Sequence, residues 1–140
     1  MNKQTELVKV MTTKLKKVRE YDTIESVAQL FEKHDFHHIP VENEEGKMVG
    51  IISKTDFMNL SYGMSLFNNP QKDIYNRALY KTTLVKDVMS KIVVSLRPED
   101  SVELAARIFR ENLFHALPIV DDEKVVGIVT TFDLLKFAFR

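Results

Sequence analysis

The sequence predicts an α/β (α+β) fold made of two β-α-β-β-α repeats, packed sheet to sheet as the halves of one module. Three observations predict it. The chain repeats itself over most of its length. Each copy carries one apolar stretch of helical period, followed by two short runs rich in β-branched residues. One copy of roughly 55 residues buries too little surface to be stable alone, so two copies gain by sharing a core.

The duplication opens with Leu7-Val8-Lys9 set above Leu84-Val85-Lys86. After one extra residue in the second copy, Met11 meets Met89. Arg19, Asp22, Glu25, Ala28, Phe31, Phe36, His37 and Pro40 then meet Arg97, Asp100, Glu103, Ala106, Phe109, Phe114, His115 and Pro118. The first copy regains its residue near Gly46, so that Val49-Gly50-Ile51 meets Val126-Gly127-Ile128 and Asp56 meets Asp133. Both shifts fall in expected loops, where length changes are tolerated.

The elements follow in the same order in each copy. A short strand is expected at residues 16–19 and 93–96. Asp22-Thr23 and Asp100-Ser101 are N-cap candidates for the next helix. In that helix Ile24, Val27, Ala28 and Phe31, and again Val102, Ala105, Ala106 and Phe109, recur at the i, i+3, i+4, i+7 spacing of one face. Pro40 and Pro118 mark an extended segment, because the residue before proline disfavours helix. Strands are expected at 38–42 and 116–120, acidic turns at 43–46 and 121–123, and second strands at 47–52 and 124–129. A short helix then starts near Ser53 or Thr130. The domain reading is repeat 1 at 1–60, a linker at 61–83 and repeat 2 at 84–140. In the linker, Asn69 as N-cap and Pro70 at the first helical position open a short helix, with Ile74, Ala78 and Leu79 as its apolar stripe.

Composition narrows the function. The 140 residues carry 20 basic and 20 acidic side chains, for zero net charge. A nucleic-acid binder is expected to carry a basic excess, so no nucleic-acid partner is expected. Cysteine is absent, which removes disulfides, thiolate metal sites and cysteine nucleophiles, and tilts the expected compartment towards the cytoplasm. No stretch approaches the roughly 18 apolar residues that a membrane span needs, and residues 1–6 do not read as a signal peptide. There is no P-loop, glycine-rich dinucleotide fingerprint or nucleophile motif, so an enzyme is not expected. The spacing of His34, His37 and His38 invites a metal reading, but Pro40 ends the helix before His38 and no further ligand set is evident; no metal is expected.

Motifs of one family are carried by Phe36-His37-His38-Ile39-Pro40-Val41 with Val49-Gly50-Ile51-Ile52-Ser53-Lys54-Thr55-Asp56-Phe57. The second copy matches with Phe114-His115-Ala116-Leu117-Pro118-Ile119 and Val126-Gly127-Ile128-Val129-Thr130-Thr131-Phe132-Asp133-Leu134. The openings Lys9-Val10-Met11-Thr12 and Lys86-Asp87-Val88-Met89-Ser90 belong to the same pattern. The chain resembles a tandem CBS-domain protein. The resemblance implies pseudo-twofold symmetry, two clefts between the repeats and an adenosine-containing ligand. It places the ribose on Ser53, Asp56, Thr130 and Asp133. It places the base or phosphates near Thr12, Lys14, His37, His38, Pro40, Lys54, Ser90, His115, Pro118 and Thr131. No arginine precedes either proline and Ala116 stands in the second copy, which argues against a triphosphate.

The residues permit this chemistry and also a plainer one. An ionised carboxylate only accepts, so two neighbouring ribose hydroxyls can both donate to it. Yet Ser53-x-x-Asp56 and Thr130-x-x-Asp133 are also capping patterns. The expectation is a stand-alone regulatory module that needs no cofactor for chemistry. It senses an adenine nucleotide (AMP, ADP, ATP) or an S-adenosylmethionine-type ligand, as in energy sensing. It forms a homodimer and signals to a separate effector protein. The alternative is a ligand-free structural module that mediates dimerisation or docking.

Overall fold

The computed structural model describes residues 2–65, 72–91, 94–111 and 114–139. By compactness the chain divides into a continuous unit, Lys16–Ile92, and a two-segment unit, Met1–Leu15 with Val93–Arg140. The sequence repeats are divided differently. The opening segment of each repeat lies in the unit that holds the body of the other.

The continuous unit contains β1 (Val18–Arg19), α1 (Ile24–Lys33), β2 (His38–Glu42), β3 (Met48–Ser53), α2 (Lys54–Ser65) and α3 (Lys72–Thr82). The sheet order is β1-β2-β3, with β1 parallel and β3 antiparallel to β2. Beyond β3, Ser90 exchanges two backbone hydrogen bonds with Ile51, at 2.8 and 3.1 Å. The expected face of α1 is the buried one: Ile24, Val27 and Phe31 join Val18, Ile39, Val41, Ile52 and Val85 in one core. Ile39, Pro40 and Val41 are buried in succession, so β2 is covered on both faces and shows no polar alternation. Proline is tolerated there because β1 starts only at Val18, the partner of Val41. The missing N–H of Pro40 leaves no ladder bond unmade.

The two-segment unit contains α4 (Val102–Arg110), β4 (Ala116–Asp121), β5 (Lys124–Thr130) and α5 (Thr131–Ala138). It repeats the scheme. Thr12 pairs with Ile128 beyond β5, and Leu96 pairs in parallel with Ile119 on the other side. The core gathers Leu7, Leu96, Val102, Ala105, Leu117, Ile119 and Val129. The strand expected at 93–96 shrinks to the single bridge at Leu96, with Val93 outside the described residues. In the continuous unit the N–H of Glu20 donates to the carbonyl of Glu42 and lengthens the ladder. Its counterpart in the second repeat is Pro98, which has no N–H to give.

Both units tie a helix start to an opening segment. The N–H of Ile24 donates to Thr83 and that of Val85 to Asp22; likewise Val102 donates to Thr5 and Leu7 to Asp100. These equivalences correct the start of the duplication. The single-turn 3-10 helices Leu7–Lys9 and Val85–Asp87 hold the same place, so Leu7 matches Val85 and Lys9 matches Asp87. No extra residue is needed before Met89. The second length change is real. The first hairpin turns with Gly46 at φ +79° and the Asn43 carboxamide accepting from Glu45 and Lys47. The second turns tightly on Asp122 and Glu123, both at positive φ.

The linker helix exists as α3, but its expected stripe is wrong. Ile74 is 66% exposed and Ala78 is also exposed, while Tyr80 packs on the core with its ring 5.2 Å from Phe57. The larger aromatic surface sets which side of the helix turns inwards. Asn69 and Pro70 lie outside the described residues. Among the described residues no helix is long and apolar enough to cross a membrane.

Candidate functional site

The predicted residues assemble as two sets, one in each unit. The continuous unit holds His37, His38, Pro40, Ser53, Lys54, Asp56 and Ser90; the two-segment unit holds Thr12, Lys14, His115, Pro118, Thr130, Thr131 and Asp133. Each set therefore takes its opening-segment member, Ser90 or Thr12, from the other sequence repeat.

In the continuous unit β3 runs directly into α2 at Ser53. The N–H of Asp56 donates to Ser53 Oγ, and the N–H of Ser53 donates to Asp56 Oδ2, both at 3.0 Å. This reciprocal pair satisfies two donors at the helix start. His38 faces Ser53 across the β2–β3 ladder. The carbonyl of His37 accepts from the N–H of Lys54 at 2.8 Å. Pro40 is fully buried and His37 is exposed. Asp56 is half-buried, and among the described residues its Oδ1 has no hydrogen-bond donor.

The two-segment unit has the same capping box, more heavily bonded. Asp133 Oδ2 accepts from the N–H of Thr130 at 2.9 Å and from its hydroxyl at 3.1 Å, and the N–H of Asp133 donates to Thr130 Oγ1 at 3.2 Å. Asp133 Oδ1 accepts from the Thr12 hydroxyl at 3.1 Å. Asp133 is 8% exposed. A carboxylate offers about four lone-pair sites, so among the described residues Asp133 keeps about one and Asp56 about three. Ala116 faces Thr130 across the ladder, Pro118 is fully buried, and His115, Thr131 and Lys14 are exposed. Capping is therefore what both motifs do in the fold, and spare acceptor capacity remains on each carboxylate for a ligand.

Sequence reading missed how the opening segments reach these sites. An added Cβ at Gly127 would lie 2.5 Å from Met11 Sδ; at Gly50 it would lie 2.6 Å from Met89 Sδ and 2.8 Å from the carbonyl oxygen of Ser90. Each glycine lets a methionine lie flat on the strand and brings Thr12 or Ser90 beside it. The Val-Gly-Ile duplication was visible, but nothing in the sequence says which methionine meets which glycine.

Comparison with known proteins follows the same lines. The family model of the CBS domain matches residues 7–63 and 85–140. The Methanocaldococcus jannaschii protein MJ1426, itself uncharacterized, is 31% identical over 97% of this chain and 93% of its own length. The inosine-5'-monophosphate dehydrogenase of the same organism is 33% identical over 82% of this chain, which spans only 20% of that enzyme. Among solved structures, the CBS domain of a CBS domain-containing membrane protein from Sphaerobacter thermophilus has a TM-score of 0.82 at 33% identity, covering 96% of this chain and 88% of that one. CBSX2 in complex with AMP has a TM-score of 0.76 at 24% identity, covering 95% of each chain. The CBS domain pair of MJ0100, in complex with 5'-methylthioadenosine and S-adenosyl-L-methionine, has a TM-score of 0.74 at 24% identity, covering 96% and 95%.

Proposed function

The chain belongs to the CBS-domain family, and on that premise we propose that it is a regulatory module of the cytoplasm that binds an adenosine-containing ligand and passes the signal to a partner protein. The observation that carries this reading is the duplicated carboxylate of Asp56 and Asp133, each held at a helix start with an acceptor site to spare. Ribose offers two neighbouring hydroxyl donors to such a group. The AMP bound by CBSX2 and the adenosyl compounds bound by the MJ0100 pair support the choice of ligand class. The two sites differ in their bonding, so their affinities differ. With no arginine before either proline, a monophosphate or uncharged adenosine compound is favoured over ATP. The working unit is a homodimer.

Titration calorimetry of AMP, ADP, ATP, S-adenosylmethionine and NAD into the full chain tests this. A ligand present at 100 times its dissociation constant raises stability by about 2.7 kcal/mol. One observation favours a second reading, a ligand-free docking module: Phe132, Leu135 and Phe139 on or beside α5 are all exposed. No response to any of the five compounds would select that second reading.

A further inference from the structure

In the two-segment unit a recess of about 480 Å³ opens along α5, lined by Lys9, Val10, Asp133, Lys136, Phe137 and Phe139. Asp133 and Lys136 are three residues apart on one helix and so share a face. Lys136 Nζ also lies 5.5 Å over the Phe132 ring. Among the described residues neither Lys9 nor Lys136 has an acidic partner within ion-pair distance. The carboxylate of Asp133 is already engaged by Thr130 and Thr12. The recess is thus lined by two lysines that have no ion-pair partner among the described residues, one largely committed carboxylate and an apolar wall.

The equivalent place in the continuous unit carries the opposite charge. Lys9 corresponds to Asp87, because the two 3-10 turns hold the same place in matching hydrogen-bond patterns, with Leu7 N–H donating to Asp100 and Val85 N–H to Asp22. Counting from Asp133 and Asp56, Lys136 corresponds to Asn59 and Thr131 to Lys54. With Lys54 included, the continuous unit has two acids against one base where the two-segment unit has two bases against one acid. Duplicated positions with opposite charge divide ligands by charge.

We infer that the recess is the anion-accepting end of the two-segment unit's ligand site: it selects a phosphate monoester of a nucleoside over the uncharged nucleoside, and the site at Asp56 does not. This rests on the adenosine reading for the nucleoside part alone. Lys9 and Lys136 donate charge-assisted hydrogen bonds to the phosphate. Val10, Phe137 and Phe139 supply contact area for the rest of the ligand. The recess is open, so salt screens the effect, and the preference falls as ionic strength rises.

The test uses the full chain, AMP and adenosine, and phenyl phosphate as a probe without a nucleoside. The readouts are backbone amide shifts by NMR and affinities by calorimetry. Phenyl phosphate is expected to shift amides around Val10 and Lys136 but not those around Asp87 and Asn59. The AMP-to-adenosine affinity ratio is expected to fall roughly ten-fold in the Lys9→Gln/Lys136→Gln double variant, with adenosine affinity unchanged. An unchanged ratio in that variant, or no shift at the recess with phenyl phosphate, overturns the inference. If phenyl phosphate shifts the recess while AMP and adenosine both fail to bind, the adenosine reading falls and the anion site stands. If AMP and adenosine bind equally, the anion site falls and the adenosine reading stands.

Discussion

Asp56 and Asp133 hold equivalent places in two capping boxes and carry different loads. Asp133 is buried, caps α5 and receives the Thr12 hydroxyl from the far end of the sequence. Asp56 is half-buried and bonds only within its own turn among the described residues. Removing Asp133 strips a cap and leaves the Thr130 N–H and the Thr12 hydroxyl without their acceptor. Asp133→Ala is expected to lower stability by about 2–3 kcal/mol and Asp56→Ala by about 1 kcal/mol. Losing a hydrogen bond to a charged group should also weaken one ligand site in each variant by roughly ten- to a hundred-fold. Urea denaturation and calorimetry measure the two effects separately. Equal destabilisation would show that the Thr12 contact adds nothing. A double variant that binds AMP as tightly as the parent would reduce both carboxylates to caps.

The long helices α1 and α4 share a pattern but bury it unequally. Phe31 is 6% exposed and packs its ring against Phe36 at 6.2 Å and Phe57 at 5.7 Å. Phe109 is half-buried at the margin of the other core. Phe31→Ala removes a full aromatic side chain from a close-packed site and is expected to cost about 3–5 kcal/mol. Phe109→Ala leaves a hole that solvent partly fills and is expected to cost about 2 kcal/mol. Denaturant midpoints at constant slope check the order, and a larger loss at Phe109 would reverse the assignment of the better-filled core. The periodicity of these helices was readable because amphipathic spacing is a local property. The degree of burial was not, since it depends on neighbours such as Phe57 that arrive from elsewhere in the chain.

Across the whole molecule, the compact units cut through the sequence repeats. The continuous unit takes Val85 into its core and Ser90 onto its sheet edge, both from the second repeat. A polypeptide of residues 16–92 is therefore expected to unfold cooperatively on heating, though with low stability at its size. One of residues 1–65, which holds nearly all of the first repeat, lacks Val85 and Ser90 and is expected to show no cooperative transition. Circular dichroism melts of the two fragments decide this. Cooperative melting of 1–65 alone would show that each repeat is self-sufficient.

The order of elements, the proline strands, the caps at Ser53, Ser101 and Thr130 and the family follow from local pattern and duplication, and the sequence was enough to read them; Thr23, expected to cap α1, makes no side-chain capping bond. Strand boundaries at 38–42 and the buried face of α1 were legible for the same reason: the restriction that Pro40 sets on its neighbours, runs of β-branched residues and helical period act within a few residues. Other features depend on residues distant in sequence. The offset of Lys9 onto Asp87 became visible only when hydrogen bonds to Asp100 and Asp22 set the register. The pairing of Met11 with Gly127, the bond from Thr12 to Asp133 and the recess between Lys9 and Lys136 needed the chain to bring its two ends together. Such contacts are chosen by packing and hydrogen-bond satisfaction over the folded unit, and local sequence carries no record of which distant segment will supply the partner.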